Sequence, residues 1–197
     1  NAHRRQRQMC IRDSPNGAHI HYLSGIKNPL GLKVGPSTTI DDLKKNIEIL
    51  NPENEGGRLT LIVRMGADKI NSKYPDLLKE INKLGLNLTW ICDPMHGNTS
   101  TSKSGYKTRA TENIFKEIQS FFEIHKSEGS VAGGVHLELT GLDVTECVGG
   151  PDDIKDENLG DRYHTFCDPR LNVNQSLELS FLPVSYTHLT LPTMCVV

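Results

Sequence analysis

The sequence feature that most constrains the fold is a repeated alternation of short apolar runs with amphipathic helical patterns. Four apolar runs alternate with longer segments, and in the first three of these segments apolar residues recur about every 3.6 positions; the runs are 30–36, 59–66, 86–93 and 134–140. This alternation is typical of a parallel β-sheet whose strands are connected by helices. The sequence therefore predicts an α/β fold built from four strand–helix units.

The helical segments carry recognisable start signals. Thr38 or Thr39 is expected to cap the first helix, and Pro75 is expected to lie in the first turn of the second. The fourth segment, 174–182, alternates apolar and polar residues as a strand would. Its place in the βα order favours a helix, which is what we predict there.

Four strand–helix units are too few to close a barrel, which needs eight units and about 250 residues. The alternatives are an open sheet and one half of a (β/α)8 TIM barrel. No G-x-G-x-x-G segment follows any predicted strand, and no P-loop is present. A doubly wound sheet that binds a dinucleotide is therefore disfavoured.

Charge and cysteine content exclude several classes of function. The chain has 22 Lys and Arg against 24 Asp and Glu, a net charge of −2, so no general positive field exists to hold nucleic acid or an acidic membrane. No run reaches the roughly 18 apolar residues that a membrane span requires. Five cysteines without a C-x-x-C pair favour a reducing compartment over secretion.

The two ends differ in character from the rest of the chain. Residues 1–15 and 183–197 continue neither periodicity, and both resemble translated sequence from outside the gene. We therefore expect two non-native extensions and a structured body over 16–182.

Two basic residues fall within or at the end of predicted strands. Lys33 lies inside the first strand, and Arg64 lies near the end of the second. A cation in such a place must be neutralised, either by an internal Asp or Glu or by a bound anion. Two cations on adjacent strands favour a phosphate or carboxylate ligand.

Three further polar residues are expected near strand ends. His96 follows the third strand, Glu138 lies near the end of the fourth, and Asp168 lies in a later loop. Each alone is compatible with a structural role in a loop, an ion pair or a turn, and nearby His136 is expected to serve packing. Together they would form a mixed nitrogen and oxygen site suited to Mn²⁺, Fe²⁺, Co²⁺ or Zn²⁺.

Several segments in order along the chain carry a family resemblance. They are GIKNPLGLKVGPS (25–37), LIVRMGADK (61–69), WICDPMHGNT (90–99), GGVHLELTG (133–141), VTECVGG (144–150) and CDPRLN (167–172). Over about residues 16–182 the chain closely resembles the class II, or plant-type, 3-deoxy-D-arabino-heptulosonate 7-phosphate (DAHP) synthases.

The resemblance implies a fold and an activity. The chain would supply about the last four βα units of a TIM barrel. The parent enzyme would be a transferase that condenses phosphoenolpyruvate with erythrose 4-phosphate, the first step of the shikimate pathway to chorismate and the aromatic amino acids. A homo-oligomer is expected, in the cytoplasm of a bacterium or in the plastid of a plant.

The resemblance also implies roles for individual residues. His96, Glu138 and Asp168 match metal ligands, with Mn²⁺ as the first expected ion and Co²⁺, Zn²⁺ or Fe²⁺ as alternatives. Lys33 and Arg64 match residues that bind phosphoenolpyruvate, and with His96 they are the expected catalytic residues. Asp93 and Lys107 are candidates for supporting the site or contacting substrate.

The chain also departs from the family pattern. The fourth metal ligand of the family is a cysteine from the amino-terminal half, and Cys92, Cys147 and Cys167 do not match it. The tryptophan-glycine-arginine motif for phosphoenolpyruvate is missing as well. This chain alone is therefore expected to be inactive.

Two other functions stay open from sequence. One is a different phosphosugar or pyruvate-type aldolase barrel, in which Lys33 would form a Schiff base with substrate. The other is a non-catalytic half domain that binds a partner.

Overall fold

The computed structural model describes residues 15–188, with side chains to residue 183. Most of the two expected extensions lies outside this range, so their non-native origin stays a prediction. No helix in the described part of the chain is long and apolar enough to cross a bilayer.

The elements follow the predicted strand–helix order with one insertion. Helix α1 (Ala18–Ser24) precedes three units: β1 (Leu30–Val34) with α2 (Ile40–Leu50), β2 (Leu59–Val63) with α3 (Ile70–Asn82), and β3 (Thr89–Cys92) with α4 (Thr111–Ser127). Between β3 and α4 lies a hairpin of β4 (Thr99–Thr101) and β5 (Lys107–Arg109). The chain continues through β6 (Gly134–Val135), a 3-10 turn (Asp156–Asn158) and α5 (Val173–His188).

The main sheet is parallel and has the order β1-β2-β3-β6. Leu32 pairs with Leu61 and Leu61 with Trp90, so the three longer strands are aligned at the same height. Their carboxyl ends therefore meet at one edge of the sheet. The predicted α/β fold with a parallel sheet is confirmed.

The two faces of the sheet have different surroundings. In β2, Leu59, Leu61 and Val63 are fully buried, while the residues between them are half-buried. Because successive side chains of a strand point to opposite faces, the buried set packs against the helices. The opposite face carries Lys33 and Ile62, which are paired in register.

Thr39, one of the two predicted capping residues, caps α2. Its hydroxyl oxygen accepts a hydrogen bond from the backbone N–H of Asp42 at 3.1 Å. The prediction for Pro75 is wrong, because α3 begins earlier and encloses this proline. The backbone N–H groups of Lys69 and Ile70 both donate to the Gly66 carbonyl, which starts the helical turn directly after β2.

The fourth strand is shorter than predicted. β6 ends at Val135, after which Leu139 forms a single parallel bridge with Leu171 instead of extending the pairing with β3. The predicted helix near 174–182 is confirmed as part of α5. Its alternating pattern does not reflect two sheet faces: Leu179 is buried, whereas Leu177 and Phe181 are exposed.

Candidate metal centre

The site lies at the edge of the sheet where the parallel strands end. Lys33 is in β1, Arg64 directly follows β2, and Asp93 directly follows β3. Lys33 is paired with Ile62, and Arg64 comes two residues later, so both basic residues belong to the face turned away from the helices. The parallel order thus brings the predicted basic residues to the same end of the sheet.

Asp93 is fully buried and accepts hydrogen bonds from two sides. One carboxylate oxygen forms an ion pair with the ammonium of Lys33 and accepts from Nδ1 of His96 at 2.7 Å. The other oxygen accepts from the backbone N–H groups of Met95 and His96. Burial opposes ionisation, but the bonds from His96 and Lys33 prevail and hold the pKa of Asp93 below its ordinary value.

This contact determines the orientation of the His96 ring. An ionised Asp93 accepts the proton on Nδ1, which leaves the lone pair of Nε2 available on the other side of the ring. That Nε2 atom lies 3.2 Å from Oε1 of Glu138. Two acceptor atoms at this distance repel each other unless a proton or a metal cation lies between them. A carboxylate behind a histidine is also the usual support for a histidine that binds metal.

The third residue of the cluster is Asp168. Ligand atoms of His96, Glu138 and Asp168 all lie within 4.8 Å of one another, and the three residues are partly exposed. Metal–ligand bonds of about 2.0–2.2 Å allow two ligand atoms of one ion to lie up to about 4.4 Å apart. One imidazole and two carboxylates near that spacing fit a divalent cation with small inward movements.

Open space adjoins the cluster. A cleft of about 410 Å³ is lined by Glu138 and Asp168 together with Leu137, Leu139 and Arg170, among others. The two carboxylates are therefore accessible from solvent.

Two cations hold the carboxylates of the cluster. The ammonium of Lys107 forms an ion pair with Asp168. Nη1 of Arg109 donates to Oε2 of Glu138 at 2.6 Å, and the side chain of Arg109 is fully buried. Sequence reasoning identified Lys107 but missed Arg109, because a basic residue in a polar loop gives no signal of its burial.

The loop that carries Asp168 has a second buried support that sequence reasoning also missed. Glu146 is fully buried and accepts hydrogen bonds from the guanidinium and the backbone N–H of Arg170. Burial opposes ionisation of Glu146, but the hydrogen bonds from Arg170 hold its pKa below the ordinary value. The charged pair therefore fixes the chain two residues beyond Asp168.

Arg64 differs from the other cations at this edge. Within the described part of the chain, no salt bridge or hydrogen bond engages its guanidinium. Nη1 of Arg64 lies beside Gly35, just past β1. Lys33 has an internal acidic partner, as expected for a structural ion pair, whereas Arg64 has none among residues 15–188.

His136 is exposed, so the prediction that it serves packing is wrong. Its ring centroid lies 6.4 Å from that of His96, and its backbone N–H donates to the carbonyl of Cys92. The backbone bond extends the pairing with β3, which leaves the side chain on the open side of the sheet.

The loops after β2 and β3 are joined by a buried acid from α4. Glu117 accepts hydrogen bonds from the backbone N–H groups of Met65 and Gly66 at 2.8 Å and from the side-chain amide of Asn98 at 2.6 Å. Burial is the largest influence and raises the pKa of Glu117 to about 7. One side chain thus holds the segment after Arg64 against the segment after His96.

Gly97 permits the same two loops to touch. A Cβ atom added at Gly97 would lie 2.5 Å from the backbone nitrogen of Gly66, closer than any real contact. We expect Gly97→Ala to lower the free energy of unfolding by about 2 kcal/mol or more, because backbone must move. Denaturant unfolding followed by circular dichroism measures this loss.

The matched control for that measurement is Gly56→Ala. A Cβ atom at Gly56 would meet nothing within 4 Å. Its effect should stay within about 0.5 kcal/mol. Equal stability of the two variants would contradict the close approach of the loops.

The fold and the cluster define a class: an α/β protein with a candidate divalent-metal centre at the carboxyl edge of a parallel sheet. Comparison with known proteins identifies the family. Residues 10–184 match the Class-II DAHP synthetase family, and the chain belongs to it. The matched range includes residues 10–15, which we expected to be non-native, and that boundary stays a prediction.

Two bacterial relatives are similar over most of this chain. It is 56% identical over 165 residues to the phospho-2-dehydro-3-deoxyheptonate aldolase of Streptomyces coelicolor, covering 84% of this chain and 37% of the relative. It is 50% identical over 167 residues to the phospho-2-dehydro-3-deoxyheptonate aldolase AroG of Mycolicibacterium smegmatis, covering 85% and 36%. The chain therefore spans little more than a third of the length of these relatives.

Proposed function

We propose that the full-length protein carrying this chain is a 3-deoxy-7-phosphoheptulonate synthase that condenses phosphoenolpyruvate with erythrose 4-phosphate. The observation that carries the proposal is the approach of His96, Glu138 and Asp168 to within 4.8 Å, with Asp93 behind the histidine. In this proposal the chain supplies four βα units of a TIM barrel. Membership of the family supports the same activity.

His96, Glu138 and Asp168 would hold the metal ion through one imidazole nitrogen and one oxygen of each carboxylate. A mixed nitrogen and oxygen donor set of this kind suits Mn²⁺, Co²⁺, Zn²⁺ or Fe²⁺, and the family resemblance favours Mn²⁺ among them. When bound, such an ion supplies Lewis-acid polarisation of the aldehyde of erythrose 4-phosphate. The residues around it hold the ligands in place, as the contacts of Asp93 with His96 and of Arg109 with Glu138 illustrate.

Arg64 and Lys33 would bind phosphoenolpyruvate. The planar guanidinium of Arg64 has no partner in the described part of the chain and can bind a phosphate or carboxylate through two hydrogen bonds. The ammonium of Lys33 forms an ion pair with Asp93, and its remaining N–H groups can donate hydrogen bonds to the same substrate. Two cations at adjacent strand ends compensate the substrate charge and fix its direction of approach.

With the substrates held in this way, the reaction forms one carbon–carbon bond. The terminal enol carbon of phosphoenolpyruvate attacks the aldehyde carbon of erythrose 4-phosphate. A water molecule adds at C2, and inorganic phosphate leaves with the oxygen that linked it to C2. The task of Arg64 and Lys33 is to keep the enol carbon within reach of the aldehyde.

A chimaera tests this function. Residues 16–182 would replace the matching segment of the Streptomyces coelicolor relative, and loss of phosphoenolpyruvate would be measured together with phosphate release. Both should occur only when erythrose 4-phosphate and Mn²⁺ are present. Absence of consumption that depends on erythrose 4-phosphate, in a folded chimaera, would contradict the proposal.

The 197-residue chain by itself is expected to show no synthase activity. Its four-stranded main sheet cannot close, and the aligned segment covers only 37% and 36% of its two curated relatives. Consumption of phosphoenolpyruvate by the purified chain with Mn²⁺ measures this, with the chimaera as the positive control. Robust turnover by the chain alone would refute the expectation.

An aldolase that acts through a Schiff base is the main alternative, and the contacts of Lys33 disfavour it. A Schiff base needs a neutral amine, whereas the Lys33 ammonium forms an ion pair with buried Asp93. Borohydride reduction in the presence of pyruvate or a phosphosugar discriminates the two. A covalent adduct on Lys33 would favour the alternative.

The proposal extends to the assembly and location of the full-length protein. A homo-oligomer follows from the family resemblance, and a cytoplasmic location follows for a bacterial parent. The two bacterial relatives favour that parent over a plant with a plastid enzyme.

A further inference from the structure

The side chain of Arg109 reaches three separate segments of the chain. Its Nε atom donates to the hydroxyl oxygen of Thr99 at 3.0 Å, and its Nη1 atom donates to Oε2 of Glu138 at 2.6 Å. Nη1 also donates to the carbonyl oxygen of Pro169. Arg109 lies at the end of β5 and is fully buried, so water does not share these bonds.

Each of the three partners belongs to a segment that carries a candidate metal ligand. Thr99 comes three residues after His96, Glu138 is itself a candidate ligand, and Pro169 directly follows Asp168. One rigid planar group therefore joins the parts of the chain that must converge at the metal. A guanidinium is suited to this because its donors have fixed directions.

The third nitrogen of the guanidinium makes no hydrogen bond within the described residues, which indicates that a contribution to folding stability does not by itself explain why Arg109 is buried here. Nη2 of Arg109 is buried and has no hydrogen-bond partner among the described residues. An unpaired buried donor is destabilising, and a buried ion pair is often no more stable than an apolar replacement. The contacts that Arg109 does make all serve the ligand segments.

We propose that Arg109 is a positioning residue that holds His96, Glu138 and Asp168 at the spacing a divalent cation requires. This inference rests on the proposed metal-dependent function. Arg109 acts through the segments it joins and contacts neither substrate nor the reacting atoms.

A role of Arg109 through its charge and a role through positioning predict different metal affinities for the Arg109→Lys variant. The positive charge of Arg109 repels a cation bound beside Glu138, so a role through charge alone predicts unchanged metal affinity in Arg109→Lys. A lysine keeps the charge but cannot bond Thr99, Glu138 and Pro169 with fixed geometry. The positioning role therefore predicts weaker metal binding in that variant.

The test is titration of Mn²⁺ into the chimaera, which also carries the amino-terminal half, followed by the electron paramagnetic resonance signal of the free ion. Loss of a residue that supports metal ligands weakens binding by about 10- to 100-fold, which is the increase in Kd expected for Arg109→Lys. The absorption spectrum of bound Co²⁺ should change as well, because it reports ligand geometry.

Arg58→Lys is the matched control. Arg58 also donates to backbone carbonyl oxygens, those of Ile26, Asn28 and Leu50, at the opposite end of the sheet. Its replacement removes a comparable structural guanidinium while the Kd for Mn²⁺ stays within about twofold. Equal Kd values for wild type and folded Arg109→Lys would overturn the proposal.

Thr99→Val gives a second, milder variant in case Arg109→Lys does not fold. It removes a single hydrogen-bond acceptor of Arg109, for which about a threefold increase in Kd is expected. An unchanged Kd in Thr99→Val, where Arg109→Lys is unfolded, would also overturn the proposal. If wild type binds neither Mn²⁺ nor Co²⁺, the proposed metal site fails and this inference fails with it.

Discussion

Replacement of His96 by alanine is expected to lower kcat/KM of the active chimaera by at least about 10³-fold, a loss of about 4 kcal/mol in transition-state stabilisation. His96 supplies the one imidazole of the candidate metal cluster, and its removal also takes a hydrogen-bond donor from buried Asp93. Both changes reduce the ability of Glu138 and Asp168 to hold the ion. The measurement is initial consumption of phosphoenolpyruvate at saturating Mn²⁺.

His136→Ala is the matched control for this variant. His136 is an exposed histidine whose ring centroid lies 6.4 Å from that of His96, and it has no carboxylate behind its ring among the contacts described. Its replacement should leave kcat/KM within about threefold of the wild-type value. A loss of kcat/KM in His136→Ala as large as in His96→Ala would contradict a role specific to His96.

Glu117→Gln is expected to change how the stability of the chain depends on pH. Burial raises the pKa of Glu117 from its ordinary value of 4.5 to about 7. Between these values the folded chain binds more protons at this position than the unfolded chain does, so stability falls as pH rises. The contribution of Glu117 is fully present below about pH 4.5 and is lost as pH passes 7.

The free energy of unfolding of wild type relative to Glu117→Gln should therefore fall by up to about 3 kcal/mol between pH 4.5 and 7. Denaturant unfolding at several pH values measures this difference. Glu123→Gln, on the exposed side of the same helix, is the control and should give a difference within about 0.5 kcal/mol at every pH. A flat difference for Glu117→Gln would contradict the raised pKa.

Features that depend on local pattern could be predicted from the sequence. The apolar run of β2 and the 3.6-residue stripe of α4 indicate a buried strand and an amphipathic helix, and the structure has both. The convergence of His96, Glu138 and Asp168 needed the parallel order and the family resemblance in addition. The spacing of these three residues along the chain does not by itself predict that they converge.

Features that depend on contacts between distant residues were not predictable in this way. Glu117 lies on the buried side of α4, where burial of an acid is explained by donors 19 to 52 residues away along the chain. Arg109 is buried through partners on three segments, and its own neighbours form a polar hairpin without an apolar pattern. The start of α3 depended on the Gly66 carbonyl, which the position of Pro75 did not indicate.

Asp93 contacts both a residue proposed for substrate and one proposed for metal, and in the proposed enzyme this arrangement would couple the binding of the two ligands. In the proposed enzyme, phosphoenolpyruvate that draws the ammonium of Lys33 toward itself would remove one of the two side-chain donors of Asp93 and leave the other, His96. The imidazole then becomes a stronger donor to the cation. Because linkage between two ligands is reciprocal, a loaded metal centre raises affinity for phosphoenolpyruvate by the same factor. Binding isotherms for the two should therefore show positive cooperativity within one subunit.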